Sequence, residues 1–259
     1  MLTYDKIYLN IVRYNQFLKG NQDMYINKII FDWNRIDEES YLRQIEALQG
    51  VKELKFDHPI TFFCGENGTG KSTLLEAIAV AYGFNPEGGT LNYSFSTYDT
   101  HSELCKAISI VKGSERKRYG YFLRAESFYN VATKEMEYSD LDHPSLQLHK
   151  RSHGESFLTI VQNHMVSKGL YLLDEPEAAL SPQRQLTLLI ELNRMAKAGA
   201  QFIIVTHSPI LLGIPGAEIL SFDDEKLHSI HYEETDSYIV TELFINNREQ
   251  ILKHLLEEQ

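Results

Sequence analysis

The chain has 259 residues, a formal net charge of −11 and an ordinary globular composition, with 43% hydrophobic and 24% charged residues. Its length suits one large α/β domain or two small ones, and no run approaches the roughly 18 uninterrupted apolar residues of a membrane-spanning helix. The acidic balance argues against a free-standing nucleic-acid binder, because such domains usually present a basic surface. The N-terminus lacks an apolar signal segment and there are only two cysteines, so we expect a cytoplasmic protein without disulfides.

The region up to about residue 60 is expected to be β-rich. Its aromatic residues Phe31, Trp33 and Tyr41 are predicted to lie in the core of an N-terminal antiparallel sheet. The apolar, β-branched and aromatic run Ile60–Cys64 then predicts a buried strand.

A glycine-rich loop follows this strand and matches the pattern G-x-x-x-x-G-K-[ST] at every fixed position. The residues of the loop are Gly65, Glu66, Asn67, Gly68, Thr69, Gly70, Lys71, Ser72 and Thr73. Apolar residues then recur on one helical face from Ser72 to Tyr82, and Gly83 follows as a stop signal, so a helix is predicted there.

Strand, glycine loop and helix in this order predict a site for a nucleoside triphosphate with Mg²⁺. The glycines let backbone N–H groups turn toward an anion, and the helix N-terminus adds partial positive charge. Lys71 is predicted to reach the β- and γ-phosphates, and the Ser72 hydroxyl to ligate Mg²⁺. The alternative, a glycine turn with a chance lysine, is strongly disfavoured by the flanking strand and helix.

The segment from about residue 84 to about 165 is polar, aromatic and loop-rich, and we expect it to form an insertion. It contains one predicted strand, Tyr119–Arg124. Two basic clusters, at residues 112–118 and at Lys150 and Arg151, are either solvated loops or nucleic-acid contacts. Solvated loops are the more common explanation, so DNA contact is possible but is not indicated by the net charge.

A second apolar strand, Gly169–Asp174, ends in an acidic pair followed by proline. In a parallel sheet, a carboxylate at the C-terminal end of a strand faces the ligand crevice. Asp174 is therefore predicted to hold Mg²⁺ beside Ser72, and Glu175 to accept a proton from a water that attacks the γ-phosphate. A strand-end turn without a catalytic role is the alternative.

Ser181 and Pro182 predict the N-cap and first position of a helix that extends to Gly199. The apolar run after it, residues 201–206, predicts another buried strand, which ends at His207. An isolated histidine there would more often be a core or capping residue. Because His207 follows a strand, an acidic pair, a helix and a second strand in this order, a position on the ligand side of the sheet is favoured for it.

Together these motifs resemble those of the ABC-type ATPases. The resemblance rests on four motifs: GENGTGKST as Walker A, LYLLDEP as Walker B, EAALSP as the D-loop and IIVTHSP around the switch histidine. The resemblance implies an α/β P-loop NTPase fold with a mixed central sheet flanked by helices, an N-terminal antiparallel β-subdomain and a small helical signature lobe. It also implies ATP and Mg²⁺ as ligands, Glu175 as the general base, and catalytic roles for Lys71 and His207.

The resemblance further implies an ATP-dependent head-to-tail homodimer, in which a signature loop from one subunit completes the nucleotide site of the other. The matching segment is Arg151–Phe157, where Ser152, Gly154 and Glu155 take the roles of the family's serine, second glycine and glutamine. His153 stands where the family has glycine, and Glu155 replaces glutamine. The resemblance also places Glu126 at the Q-loop position, where no glutamine stands.

From Gly216 onward, two strands are predicted to flank an acidic turn at residues 223–225, and residues from about 237 to 258 to form one or two helices with acidic surfaces. We expect residues 1–259 to be a single ATPase domain, with Walker B, the switch histidine and the C-terminal part over 166–259. The pair His149 and His153 and the pair His228 and His231 are interpreted as surface histidines rather than as a metal site.

Within the superfamily, the chain most resembles stand-alone bacterial ATPases allied with the SMC and RecF branch, over roughly residues 25–245. Three tasks stay open. The chain could be a DNA-associated or defence-related ATPase acting through an unidentified protein partner, the nucleotide-binding subunit of a transporter with a separate membrane chain, or a nucleotide-gated protein-interaction module. The atypical signature loop, the absence of a transporter-like Q-loop and the lack of a clear adenine-stacking aromatic among Phe31, Trp33 and Tyr41 count against the transporter.

Overall fold

The computed structural model of the chain describes residues 24–91, 102–114, 119–124, 158–159, 161, 165–166 and 168–257. The strands are β1 (Ile26–Phe31), β2 (Glu53–Lys55), β3 (Ile60–Cys64), β4 (Gly89–Thr90), β5 (Ile108–Lys112), β6 (Gly120–Arg124), β7 (Leu170–Asp174), β8 (Gln201–Val205), β9 (Glu218–Ser221) and β10 (His228–Ser229). The helices are α1 (Lys71–Tyr82), α2 (Leu104–Ala107), α3 (Pro182–Lys197), α4 (Pro209–Leu212) and α5 (Asp236–Glu257). Short 3₁₀ helices cover Trp33–Arg35, Tyr41–Gln44, Glu46–Leu48, Pro176–Ala179 and Tyr232–Glu234.

The smaller sheet is antiparallel and has the strand order β2-β1-β5, which confirms the predicted N-terminal antiparallel sheet. Its third strand comes from the polar segment after residue 84 rather than from the first 60 residues. Phe31 is buried and Trp33 packs against the core, as expected. The prediction for Tyr41 is wrong, because this residue lies in a 3₁₀ helix outside the sheet and is 60% exposed.

The larger sheet has seven strands in the order β10-β9-β3-β8-β7-β6-β4. The five central strands run parallel, and the two edge strands pair antiparallel. This confirms the predicted mixed α/β sheet, including the strands expected from the apolar runs ahead of the glycine loop, the acidic pair and His207. Since β3, β7, β8 and β9 are parallel, their carboxyl ends meet at one edge of the sheet.

Apolar layers cover both faces of this sheet. Successive strand residues point to opposite faces, so Leu172 belongs to the cluster on one face and Leu173 to the cluster on the other. Helix α1 packs on the first face together with the N-terminal sheet, and α3 packs on the second through Leu188 and Leu192. Each fully buried side chain of this kind stabilises the fold by about 1.5–3 kcal/mol.

The helix boundaries follow the local signals in the sequence. Helix α1 ends at Gly83, which is left-handed and donates its N–H to the last turn. The Ser181 side chain accepts a hydrogen bond from Arg184 N, and Pro182 occupies the first helical position. Both predicted helices are therefore confirmed.

Helix α5 confirms the predicted C-terminal helix and is kinked at Asn247. Its surface is less acidic than expected, because large apolar side chains are exposed along it. These are Ile239, Val240, Leu243, Phe244, Ile245, Leu255 and Leu256. Within the described residues, no helix combines the length and the apolar character needed to cross a membrane.

Candidate nucleotide-binding site

The glycine loop connects the carboxyl end of β3, an interior strand of the larger sheet, to the first turn of α1. Gly70 has a φ of 96° immediately before the helix, a conformation that favours glycine. A Cβ atom at Gly70 would lie 2.6 Å from Cγ2 of Ile45. The loop is therefore packed against the 3₁₀ segment of the N-terminal part, and neither the backbone angle nor the space admits a larger residue.

Lys71 is folded back over the loop. Its Nζ donates to the carbonyl oxygens of Gly65 at 2.7 Å and Glu66 at 2.5 Å, and its side chain is buried. Burial lowers the pKa of Lys71, while the nearby carboxylates of Asp223 and Glu175 oppose that shift. The site thus holds an ammonium group that is satisfied by carbonyl oxygens and lies at a helix N-terminus, where anions bind favourably.

Ser72 and Asp174 meet across the gap between α1 and β7. The Ser72 hydroxyl donates to Oδ1 of Asp174 at 2.8 Å, and Asp174 is buried at the end of its strand. A hydroxyl and a carboxylate are hard oxygen donors of the kind that Mg²⁺ prefers. The two residues fit a Mg²⁺ ion that would be shared with phosphate oxygens.

Glu175 and His207 follow the ends of β7 and β8, which are neighbouring strands. Oε1 of Glu175 and Nε2 of His207 are 4.0 Å apart, and the two side chains are 43% and 40% exposed. Glu175 has a φ of 48°, which is uncommon for a residue with a side chain. Backbone strain of this kind occurs often at functional sites.

Asp223 is a residue of the site that the sequence motifs do not reveal. Its Oδ1 accepts the backbone N–H of Glu66 at 2.9 Å, and a Cβ atom at Gly65 would lie 2.9 Å from the same oxygen. The Ser221 hydroxyl donates to the other carboxylate oxygen at 3.2 Å. The carboxylate at the end of β9 therefore fixes the entry into the glycine loop.

Two cavities adjoin the loop. One of about 430 Å³ lies between the loop residues 67–69 and the N-terminal segment, where Tyr41 and Ile45 contribute to its wall. The other, of about 340 Å³, is lined by loop residues 65–67 together with His207 and Asp223. Tyr41 thus lies beside the loop, a position that the sequence interpretation missed because no local pattern marks it.

The structure brings the predicted residues Gly65–Thr73, Asp174, Glu175 and His207 together at one edge of the sheet. The predicted signature residues Ser152, Gly154 and Glu155 and the predicted Q-loop residue Glu126 lie outside the described residues. A grouping of three or more histidine, cysteine or acidic side chains suited to a metal ion does not occur within the described part of the chain.

Comparison with known proteins gives two family matches. A family described as "AAA domain" matches residues 40–167. A second, described as "AAA domain, putative AbiEii toxin, Type IV TA system", matches residues 156–213. The first covers the glycine loop and the second covers Asp174, Glu175 and His207.

Two proteins with related sequences are named as ATP-binding proteins. The chain is 27% identical over 191 residues to the cytochrome c biogenesis ATP-binding export protein CcmA of Bartonella quintana, covering 69% of this chain and 88% of that protein. It is 24% identical over 200 residues to the galactose/methyl galactoside import ATP-binding protein MglA 2 of Photobacterium profundum, covering 70% of this chain but only 39% of that protein.

Among solved structures, the SMC head domain from Thermotoga maritima matches with a TM-score of 0.43 and 13% identity, covering 80% of this chain and 98% of that chain. The sequence matches include both the glycine loop and the acidic strand end, and the fold places these elements as a P-loop ATPase requires. The chain is similar to ABC-type P-loop ATPases in both of these motifs.

Proposed function

We propose that this chain binds ATP with Mg²⁺ at the glycine loop and hydrolyses it to ADP and phosphate. The observation that carries the proposal is the contact of Ser72 with Asp174 at 2.8 Å, directly beside the Lys71 ammonium. This contact places the Ser72 and Asp174 oxygens, which could bind a metal ion, next to the loop that would bind phosphate. Bound Mg²⁺ would neutralise charge on the phosphates and orient them.

The hydrolytic step would depend on three side chains at the edge of the larger sheet where its parallel strands end. Lys71 would exchange its carbonyl contacts for the β- and γ-phosphates, since a charge-assisted bond to phosphate is the stronger one. Glu175 would accept the proton of the attacking water. His207, 4.0 Å from Glu175, would donate a hydrogen bond to the γ-phosphate and stabilise the charge that develops there.

The base of the nucleotide would occupy the cavity of about 430 Å³ beside loop residues 67–69. Tyr41 and Ile45 on its wall offer an aromatic ring and an apolar surface to a purine. This proposal explains why Tyr41 is 60% exposed although it is a large aromatic residue.

We expect Tyr41→Ala to raise the Kd for ATP by about 5- to 160-fold, because stacking of a base on an aromatic side chain contributes roughly 1–3 kcal/mol. Titration with a fluorescent ATP analogue would measure the change, and Tyr41→Phe should retain most of the affinity. Tyr119, another exposed tyrosine, gives the matched control Tyr119→Ala. An unchanged Kd in Tyr41→Ala would place the base elsewhere.

Hydrolysis is proposed to take place in a head-to-tail homodimer, with Ser152 and Gly154 of one copy acting on the γ-phosphate held by the other. A closed two-fold arrangement of this kind gives two equivalent nucleotide sites. Closing and reopening of the dimer would be the mechanical output passed to a partner.

For the task of the ATPase, we propose a DNA-associated or defence-related role through a protein partner, as the motif resemblance to the SMC and RecF branch suggests. A transporter subunit is the second candidate, supported by the two relatives whose names describe export and import. The DNA-associated role is tested by measuring phosphate release with and without duplex DNA, and stimulation by DNA would favour it. Copurification with a membrane protein would favour the second, and an ATP-dependent complex with another protein would favour an interaction module.

The activity itself is tested by phosphate release from Mg²⁺ and ATP by the purified chain. A rate removed by EDTA and restored by Mg²⁺ is the expected result. If ATP binds with Mg²⁺ but is never hydrolysed, even at high protein concentration, the chain is a nucleotide-gated binding module instead.

A further inference from the structure

Glu177 connects the two loops that carry Glu175 and His207. It lies in the 3₁₀ helix that follows Glu175, and its Oε1 accepts the backbone N–H of His207 at 2.6 Å. The contact therefore spans the gap between the ends of β7 and β8, and it ties the backbone of His207 to the segment that begins with Glu175.

The Glu177 carboxyl group is held in an environment that is unfavourable for it. Its Oε2 is buried and has no hydrogen-bond partner among the described residues. Burial raises the pKa of Glu177, although the hydrogen bond from the N–H of His207 partly offsets this. A buried polar atom without a hydrogen-bond partner destabilises the folded state. An apolar side chain would avoid that cost, so the carboxyl has a role beyond packing.

The ring of His207 is not held by a hydrogen bond at Nε2, which is buried without a partner among the described residues. Oε1 of Glu175 lies 4.0 Å from that nitrogen. The position of the ring therefore depends on the position of its backbone. A displacement of about 1 Å at a reacting group can lower a rate by roughly a hundredfold.

We propose that Glu177 is a positioning residue, which holds the backbone of His207 and thereby sets the placement of its ring relative to Glu175. The inference rests on the proposed function for its effect on hydrolysis. The placement itself is a property of the protein without nucleotide. Supporting residues of this kind hold functional side chains to within about 0.5 Å of their productive geometry.

The variants Glu177→Gln and Glu177→Leu separate this role from simple packing. Glutamine retains a carbonyl oxygen that can accept the His207 N–H, whereas leucine fills a similar volume without an acceptor. We expect Glu177→Leu to lower kcat at least about tenfold with a nearly unchanged Kd for ATP, and glutamine to restore most of the loss. Glu233, an exposed residue outside the site, gives the control Glu233→Leu.

Combination with His207→Ala shows whether Glu177 acts through the histidine. In that background Glu177→Leu should cause no further loss of kcat, because residues that act as a unit are not additive. A full additional loss there, or an equal loss for glutamine and leucine, would overturn the proposal. Melting temperatures of all variants show whether the chain still folds.

A measurement without ATP keeps the proposal separate from the proposed function. NMR spectra of the histidine-labelled protein contain ring signals of His207, which His207→Ala identifies by their disappearance. Glu177→Leu should shift these signals and Glu177→Gln should leave them close to the wild type. Unchanged signals in a folded Glu177→Leu protein would overturn the inference. A protein that shows the shift but no hydrolysis would keep the inference and refute only the ATPase proposal.

Discussion

Replacement of Glu175 by glutamine is expected to lower the rate of ATP hydrolysis by about a hundredfold or more, because the amide cannot accept the proton of the attacking water. ATP affinity should stay close to that of the wild type, since Lys71, Ser72 and Asp174 are unchanged. Steady-state phosphate release and nucleotide titration measure the two quantities. Hydrolysis at the wild-type rate would show that the general base is another residue.

The same variant tests the proposed dimer. If hydrolysis is blocked after the dimer has closed, Glu175→Gln should double in mass by light scattering with ATP and Mg²⁺ but not with ADP. Adding Ser152→Arg should abolish the doubling while each monomer still binds ATP. A double variant that dimerises normally with ATP would contradict the assignment of the signature loop to residues 152–155.

Lys71→Ala is expected to raise the Kd for ATP by at least about 10- to 100-fold and to abolish hydrolysis, since a charge-assisted hydrogen bond contributes roughly 1.5–3 kcal/mol. The loss should be larger for ATP than for AMP, because the ammonium acts on the outer phosphates. Isothermal titration calorimetry measures both ligands. Lys168→Ala removes an exposed lysine at the opposite end of the sheet and is the matched control.

Wild-type hydrolysis in Lys71→Ala would refute the assignment of the glycine loop as the phosphate site. Removal of this charge should not unfold the protein, because the cost of burying the ammonium, which lowers its pKa, offsets much of its hydrogen bonding to the loop carbonyls. A melting temperature near that of the wild type would confirm that the loss lies in binding.

The elements that could be predicted are those specified by neighbouring residues. Strand β3 is a continuous apolar run, and Ser181 with Pro182 marks the start of α3 within two residues. Glycines at positions with positive φ determine the shape of the loop before any distant contact is considered. Local composition was therefore sufficient for the core of the nucleotide site.

The residues that could not be predicted depend on which segments become neighbours in space. Asp223 joins the site because β9 pairs with β3, a pairing that the acidic turn does not reveal. The aromatic character of Tyr41 predicts a place in the sheet core, whereas its 3₁₀ helix places it beside the loop. Glu177 lies inside a recognised motif, but its hydrogen bond to His207 depends on the register of β7 with β8.

The contact between Asp223 and the glycine loop has a consequence for the order of folding. The two partners are separated by 157 residues, and β3 pairs with β8 and β9, which follow it late in the chain. Long-range pairing of this kind forms slowly, because the entropy of a large loop is lost before the contacts are gained. During synthesis the apolar strand β3 therefore stays unpaired until β8 and β9 have been made. The glycine loop gains its contact with Asp223 only after that residue has left the ribosome.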